Sequence, residues 1–92
     1  MAACQEQANA LDKQGDTYRR LGKYEQAIEC YRQVLEIKRE MGDRPGIAFC
    51  LQKLWLCNVW LQNDEEAFFC FMQLQEIHRE MSANIEEIDF YF

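Results

Sequence analysis

The stretch CYRQVLEIKREM, residues 30–41, recurs forty positions later as CFMQLQEIHREM, residues 70–81. Seven of the twelve paired residues are identical. Internal repetition at a spacing of this kind is typical of stacked structural units, each too small to bury its apolar face alone. The same offset continues upstream, where it pairs Leu11 with Leu51, Lys13 with Lys53, Leu21 with Leu61, Glu25 with Glu65 and Ala27 with Ala67.

Each unit has the apolar periodicity of two helices. In the first unit, apolar residues recur at three- and four-residue steps on both sides of Gly22, which predicts a helix, a turn and a second helix. Gly42 is expected to end the second helix, with Asp43 capping the next one and Pro45 in its first turn. We therefore predict an all-α single domain, residues 1–92, with two helix-turn-helix repeats at about 5–41 and 45–81. A short segment, 82–92, opened by Ser82 and Asn84, is expected to form a cap or tail.

The first unit resembles the tetratricopeptide repeat. The resemblance is carried by Leu11, Gln14-Gly15, Tyr18, Ala27 and Tyr31, and by the phrase LGKYEQAI at residues 21–28. In that family small residues let the two helices of a repeat approach while aromatic rings fill the space beside them. The forty-residue period resembles the longer-helix variety of the repeat. The resemblance implies a protein-binding module, a scaffold or adaptor, and not an enzyme.

The second unit departs from the pattern where its two helices should meet. Trp55 stands at the place of Gly15, and Asn58 at the place of Tyr18. Because an indole ring does not fit the gap that a glycine leaves, we expect the second pair of helices to be splayed or rotated.

The resemblance also implies a surface for a protein or peptide partner. In the family, the first helices of successive repeats line a concave groove. Asp12 and Asp16 stand where members that bind C-terminal carboxylates carry Lys and Asn, so that class of ligand is disfavoured. The places carried over to this chain are Asn9, Asp12, Asp16, Arg19, Arg20, Phe49, Gln52, Leu56, Val59 and Trp60.

The second unit is apolar around most of its helical surface, notably at residues 59–61 and 68–72. Repeat arrays usually need three or more units and a polar terminal helix, so we expect a homodimer, which would cover this surface. The alternatives are a tail that folds back as a local cap, or neighbouring repeats that are missing. A further version docks the acidic and aromatic tail, 85–92, into a neighbouring copy beside Arg19 and Arg20, although a local cap is favoured. The predicted self-association residues are Trp60, Phe68, Phe69, Met72, Phe90, Tyr91 and Phe92.

Charge and composition exclude several classes of protein. The net charge is −6; residues 1–46 carry 8 basic and 8 acidic residues, and residues 47–92 carry 2 and 8. Without a basic stripe, nucleic acid is not an expected partner. No segment is apolar enough to span a membrane, and a membrane is not an expected partner. Five cysteines without an export signal indicate a reducing compartment, and we predict a cytoplasmic location.

No catalytic, cofactor or metal site can be assembled from the sequence. His78, the only histidine, pairs with Lys38 across the repeat and is expected to be solvated. The cysteines are at least seven residues apart, so they lack the close pairs of metal sites and are expected to be buried apolar groups. The pairs Glu65-Glu66 and Glu86-Glu87 are interpreted as charges at helix N-termini. The alternatives left open are a redox-responsive regulatory protein acting through its cysteines, and an engineered or trimmed piece of a longer repeat scaffold.

Overall fold

Four helices follow one another along the chain in the computed structural model, which describes residues 2–90, with side chains from residue 4 to residue 82. They are α1 (Ala2–Arg20), α2 (Tyr24–Met41), α3 (Arg44–Trp60) and α4 (Asp64–Phe90). Each helix contacts the next, α1 with α2, α2 with α3, and α3 with α4. The predicted all-α helical repeat is confirmed.

The turn inside each repeat is built in the same way. The backbone N–H of Lys23 donates to the Tyr18 carbonyl at 2.8 Å, and that of Asn63 donates to the Asn58 carbonyl at 2.9 Å. Both turns need one left-handed residue, which is Gly22 (φ 77°) in the first repeat and Gln62 (φ 61°) in the second. The second turn therefore keeps its shape although it has lost its glycine, at a cost in backbone strain.

The junction between the repeats uses the signals that the sequence predicted. Gly42 ends α2 in the left-handed conformation, with φ 69°. The Asp43 carboxylate then accepts a hydrogen bond from the Gly46 backbone N–H at 3.0 Å, which caps the N-terminus of α3. Lys38 pairs with the same carboxylate at 3.3 Å, so this cation is largely withdrawn from water and not solvated.

The core lies along α2, which has a helix on either side. One cluster joins α2 to the second repeat and consists of Ala27, Ile28, Tyr31, Leu54, Cys57 and Cys70. The other joins α2 to α1 and to the start of α3, and consists of Ala8, Val34 and Cys50. Helix α4 packs mainly against α3 and meets α2 along one edge, where Arg32 pairs with Glu66 at 3.8 Å and Arg39 donates to Gln73. The opposite side of α4 is not covered by any described residue.

We expected the helices of the second repeat to be splayed or rotated; splaying is wrong, and rotation stays a prediction. Helices α3 and α4 contact each other almost as extensively as α1 and α2 do. Trp55 is instead accommodated by moving the opposing ring: Phe71 lies 6.4 Å from it, centroid to centroid, and is 40% exposed. Its counterpart Tyr31 is 0% exposed, because it lies against Gly15.

Helix α4 is longer than the sequence predicted. It runs without a break through Ser82 and Asn84, where we expected a new segment to open, and ends at Phe90. Glu86 and Glu87 therefore lie near the C-terminal end of a helix, and their interpretation as N-terminal charges is wrong. The other pair, Glu65-Glu66, does lie in the first turn of α4. Whether residues 82–92 act as a cap or a tail remains a prediction.

Candidate protein-binding site

A cleft of about 350 Å³ opens between α1, α2 and α3. We call it the α1–α3 cleft, since these two helices form its rims. Its floor is apolar and its rim carries charged and amide groups, the combination that places a side chain by packing and orients it by hydrogen bonds. Ten residues line it: Ala8, Asn9, Asp12, Val34, Lys38, Asp43, Pro45, Gly46, Phe49 and Cys50.

Three of the ten predicted groove residues line this cleft. Asn9 is exposed on the α1 rim, Asp12 is half-buried, and Phe49 projects from the α3 rim with 60% of its surface exposed. The structure therefore brings together the part of the predicted groove that lies nearest the N-terminal ends of α1 and α3.

The remaining predicted residues lie farther along the two helices. Arg20 and Gln52 are exposed, and Leu56 is half-buried. Val59 and Trp60 lie at the C-terminal end of α3, where the Trp60 ring stacks on Tyr24 with centroids 5.9 Å apart and planes 3° from parallel. The stack joins the last turn of α3 to the first turn of α2, so Trp60 already has an intramolecular partner on one face.

Lys53 of α3 joins the two rims, and sequence reasoning did not select it. Its ammonium lies 2.8 Å from Asp12 Oδ1 and 3.2 Å from Asp16 Oδ1, and the side chain is only 12% exposed. It also lies 4.8 Å from the centre of the Phe49 ring, within cation–π range. Because Lys53 and Arg19 together offset the charges of Asp12 and Asp16, the acidic appearance of this surface in the sequence is largely cancelled.

Asp16 and Arg19, both predicted as groove contacts, are engaged inside the molecule. The Tyr31 hydroxyl donates to Asp16 Oδ1 at 2.5 Å, and Arg19 Nε donates to the Tyr31 oxygen at 3.2 Å. Burial by itself raises the pKa of Asp16, but the hydrogen bonds from Tyr31 and Lys53 and the charges of Lys53 and Arg19 outweigh it and hold that pKa below its ordinary value. Burial and the bond to Asp16 raise the pKa of Tyr31 well above its ordinary value, so it remains a neutral donor.

The cysteines have the surroundings of packed apolar groups. All five, each within the described residues, are free; four are buried and Cys4 is half-buried. Burial raises the pKa of Cys50 to about 11, and burial also raises the pKa of Cys30, Cys57 and Cys70. The thiolate is the reactive and metal-binding form, so these surroundings suppress the chemistry that a redox role needs.

The other groups that the sequence singled out lie apart from the cleft. His78 is exposed on α4, as expected. Among the described side chains, no three His, Cys, Asp or Glu residues are grouped as ligands for a metal ion. None of the helices, over the part of the chain described, is long and apolar enough to cross a membrane.

The predicted self-association residues with described side chains are exposed. Phe68 is 64% exposed and Phe69 60%, and Trp60 and Met72 are exposed as well. Phe90 is the last residue of α4; its side chain lies outside the described part of the chain, as do Tyr91 and Phe92. Phe68, Phe69 and Met72 form an exposed apolar cluster on α4.

Comparison with known families agrees with the geometry. The sequence profile of the tetratricopeptide repeat matches residues 6–80, which include most of the chain. The chain belongs to the tetratricopeptide repeat family. Comparison with curated proteins returns no match. Repeats of this family are typically non-enzymatic modules that bind other proteins, and the resemblance seen in the sequence is confirmed.

Proposed function

We propose that this tetratricopeptide repeat chain is a non-enzymatic adaptor that binds a protein partner in the α1–α3 cleft and associates with itself through its second repeat. The observation that carries the first part is the arrangement around Phe49. Its exposed ring stands beside an apolar floor and above an ion cluster that the protein has already neutralised.

The chemistry of the cleft favours a peptide segment with an apolar side chain. Such a side chain would pack on Ala8 and Cys50 and against the Phe49 ring. The Asn9 amide would form a hydrogen bond with a backbone N–H or C=O group of the segment. A strongly charged peptide is disfavoured because Asp12 and Lys53 already satisfy each other at 2.8 Å.

The test compares two exposed apolar residues. Phe49→Asp alters the cleft, whereas Leu21→Asp places the same charge at a residue that is equally exposed but lies outside it. Proteins retained from a cell extract by immobilised wild-type chain are expected to be lost with Phe49→Asp and kept with Leu21→Asp. Equal retention by both variants would show that the cleft is not the binding site.

Self-association is tested without any partner. Light scattering after size exclusion is expected to give twice the 11.0 kDa mass of the chain. A monomer at every concentration would overturn this part of the proposal and would not affect the proposal that the cleft binds a partner. The exposed phenylalanines of α4 are the reason to expect the dimer.

The thiols support a cytoplasmic location, since free buried cysteines fit a reducing compartment. They do not favour the redox alternative, because burial raises their pKa values. Slow reaction of Cys30, Cys50, Cys57 and Cys70 with a thiol reagent under native conditions is the expected result. Rapid labelling of any of the four would restore the redox hypothesis.

A further inference from the structure

The outer face of α4 has a pattern of charge and apolar side chains that is complementary to itself. With 3.6 residues per turn, positions 65, 68, 69, 72, 76 and 79 share one side of the helix, opposite the buried Ala67 and Cys70. We call this side the α4 outer stripe. All six residues are exposed: Glu65, Phe68, Phe69, Met72, Glu76 and Arg79.

The repeat itself shows that the stripe is unusual. In α2, the position equivalent to Phe69 holds Glu29, which is exposed and charged as expected for an outer surface. The position equivalent to Met72 holds Arg32, which is also exposed and pairs with Glu66 of α4 at 3.8 Å. The position equivalent to Phe68 holds Ile28, which is buried in the core cluster that α2 shares with the second repeat. The α4 outer stripe therefore combines a face that normally receives a neighbouring helix with an outward face that has become apolar.

We propose, resting on the proposed self-association, that two copies of this chain pack α4 against α4 in antiparallel orientation about a twofold axis at Met72. Residues whose numbers sum to 144 then lie opposite each other. Glu65 of each protomer faces Arg79 of the partner subunit, and this contact occurs twice. Phe68 and Phe69 of each protomer lie on either side of the axis, over Glu76 and Gln75 of the partner subunit.

Charge disfavours two alternative arrangements. An antiparallel register shifted toward the N-terminus by about one turn sets Glu65 against Glu76 twice, and a parallel arrangement sets the acidic first turns of the two helices side by side. In the proposed register Arg79, which already bonds Glu76 of its own helix at 3.0 Å, gains a second carboxylate, and its five donors can serve both.

A second copy fits this face better in a twofold contact than in a head-to-tail one. A head-to-tail stack would cover the stripe with the outer side of α1, whose exposed residues are mostly polar: Glu6, Gln7, Ala10, Lys13, Gln14 and Thr17. In the twofold contact Met72 meets Met72 of the partner subunit, the helix of the partner covers both phenylalanines, and the assembly closes at two subunits. A fully buried aromatic side chain contributes about 150–250 Å², and Phe68 and Phe69 are 64% and 60% exposed. Together with Met72 they supply part of the roughly 800 Å² that each subunit of a stable dimer buries.

The experiment uses charge reversal on the full chain. Glu65→Lys and Arg79→Glu each turn two attractive contacts per dimer into repulsive ones, so each variant alone is expected to dimerise about tenfold more weakly. An equimolar mixture is expected to recover wild-type affinity as a heterodimer, because both contacts are then again between opposite charges. Dissociation constants come from sedimentation equilibrium, and circular dichroism confirms that each exposed substitution leaves the helices intact.

Glu25→Lys is the matched control, since Glu25 is the repeat equivalent of Glu65 and lies in the first turn of α2. It is expected to leave dimerisation unchanged. A wild-type dimer whose affinity does not respond to the two reversals, or a mixture no tighter than its components, would overturn this interface while self-association itself survives. A wild-type monomer would overturn both, and the binding test at Phe49 would still stand on its own.

Discussion

In the first repeat the Tyr31 ring lies on Gly15 and is completely buried, whereas in the second repeat Trp55 takes the glycine's place and the equivalent Phe71 is 40% exposed. A Cβ added at residue 15 would come within 2.7 Å of the Tyr31 ring, closer than carbon atoms approach without strain. The two repeats thus share the order of their helices and the hydrogen bond of their turns, but they place the equivalent aromatic side chain differently. The comparison teaches that an aromatic residue in this repeat is buried only if the facing helix leaves room for it.

Removing each of the two aromatic rings should change stability by very different amounts, and the loss at Tyr31 is the largest effect that we expect. Tyr31→Ala is expected to cost about 3–5 kcal/mol of unfolding free energy, because it empties a fully packed site. Phe71→Ala is expected to cost only about 1 kcal/mol, since much of that ring is already in water. Urea denaturation measures both.

A loss that large could leave Tyr31→Ala unfolded, so Tyr31→Phe serves as the second variant. It keeps the ring and removes the hydroxyl that bonds Asp16 and Arg19, for an expected loss of about 1–2 kcal/mol. Equal losses for Tyr31→Ala and Phe71→Ala would contradict the contrast between the repeats.

The second comparison concerns the repeated lysines. Lys53→Met is expected to cost about 2 kcal/mol, because Asp12 and Asp16 then repel each other without their shared cation. Lys13→Met, at the equivalent exposed place in α1, is expected to change stability by less than about 0.5 kcal/mol. Thermal or urea unfolding of the two variants tests this, and a similar loss for both would show that the ion cluster is not stabilising.

The same cluster makes the fold sensitive to acid. Since the pKa of Asp16 in the folded chain lies below its ordinary value of 3.8, its contribution to stability is complete above that value and is lost as the pH falls through the folded pKa. In Lys53→Met this acid-dependent loss is expected to be smaller. The test is the free energy of unfolding measured as a function of pH in the wild type and in Lys53→Met. Parallel curves would contradict the role of Lys53 in the acid-dependent loss of stability.

Asn58 marks a smaller difference between the repeats. It is buried where the first repeat has a half-buried Tyr18, and its Nδ2 donates to the Leu54 carbonyl at 2.9 Å. Asn58→Ala is expected to cost about 1 kcal/mol, whereas Asn9→Ala, on the exposed rim of the cleft, is expected to be nearly neutral for stability. Equal shifts of the denaturation midpoint in Asn58→Ala and Asn9→Ala would contradict this prediction.

The smallest of these stability effects, and a stabilising one, is expected at Gln62 in the second turn. Gln62→Gly is expected to stabilise the chain by about 0.5 kcal/mol. The variant relieves the strain of a left-handed φ of 61°, and this gain exceeds the loss from the greater flexibility of the unfolded chain. Gly22→Gln, the reverse change in the first repeat, is expected to cost about 1 kcal/mol. The melting temperature is expected to rise in Gln62→Gly and to fall in Gly22→Gln, and changes of the same sign would contradict this prediction.

Much of the fold could be read from the chain because its signals are local. The forty-residue offset predicted two equivalent helix pairs, and Gly42 and Asp43 marked the junction through their own backbone and side-chain preferences. The end of α4 was misjudged because Ser82 and Asn84 are weak helix formers that a continuing helix can still carry.

The candidate site was predicted less completely because its contacts join residues distant in sequence. Asn9, Asp12 and Phe49 were identified as groove residues through the family resemblance, and they do line the cleft. Lys53 was missed, since its partners Asp12 and Asp16 lie on another helix and its equivalent Lys13 carries the same side chain without any such role.

The repeat, the helices and their turns followed from the chain alone, because the forty-residue offset, the apolar periodicity and the capping residues are all properties of the sequence. Which of two equivalent residues is buried, paired or exposed depends on the helices packed around it, and it became visible in the folded chain. Helix α2 lies between α1 and the second repeat, whereas no described helix follows α4, so the same position buries Ile28 in the first repeat and exposes Phe68 in the second.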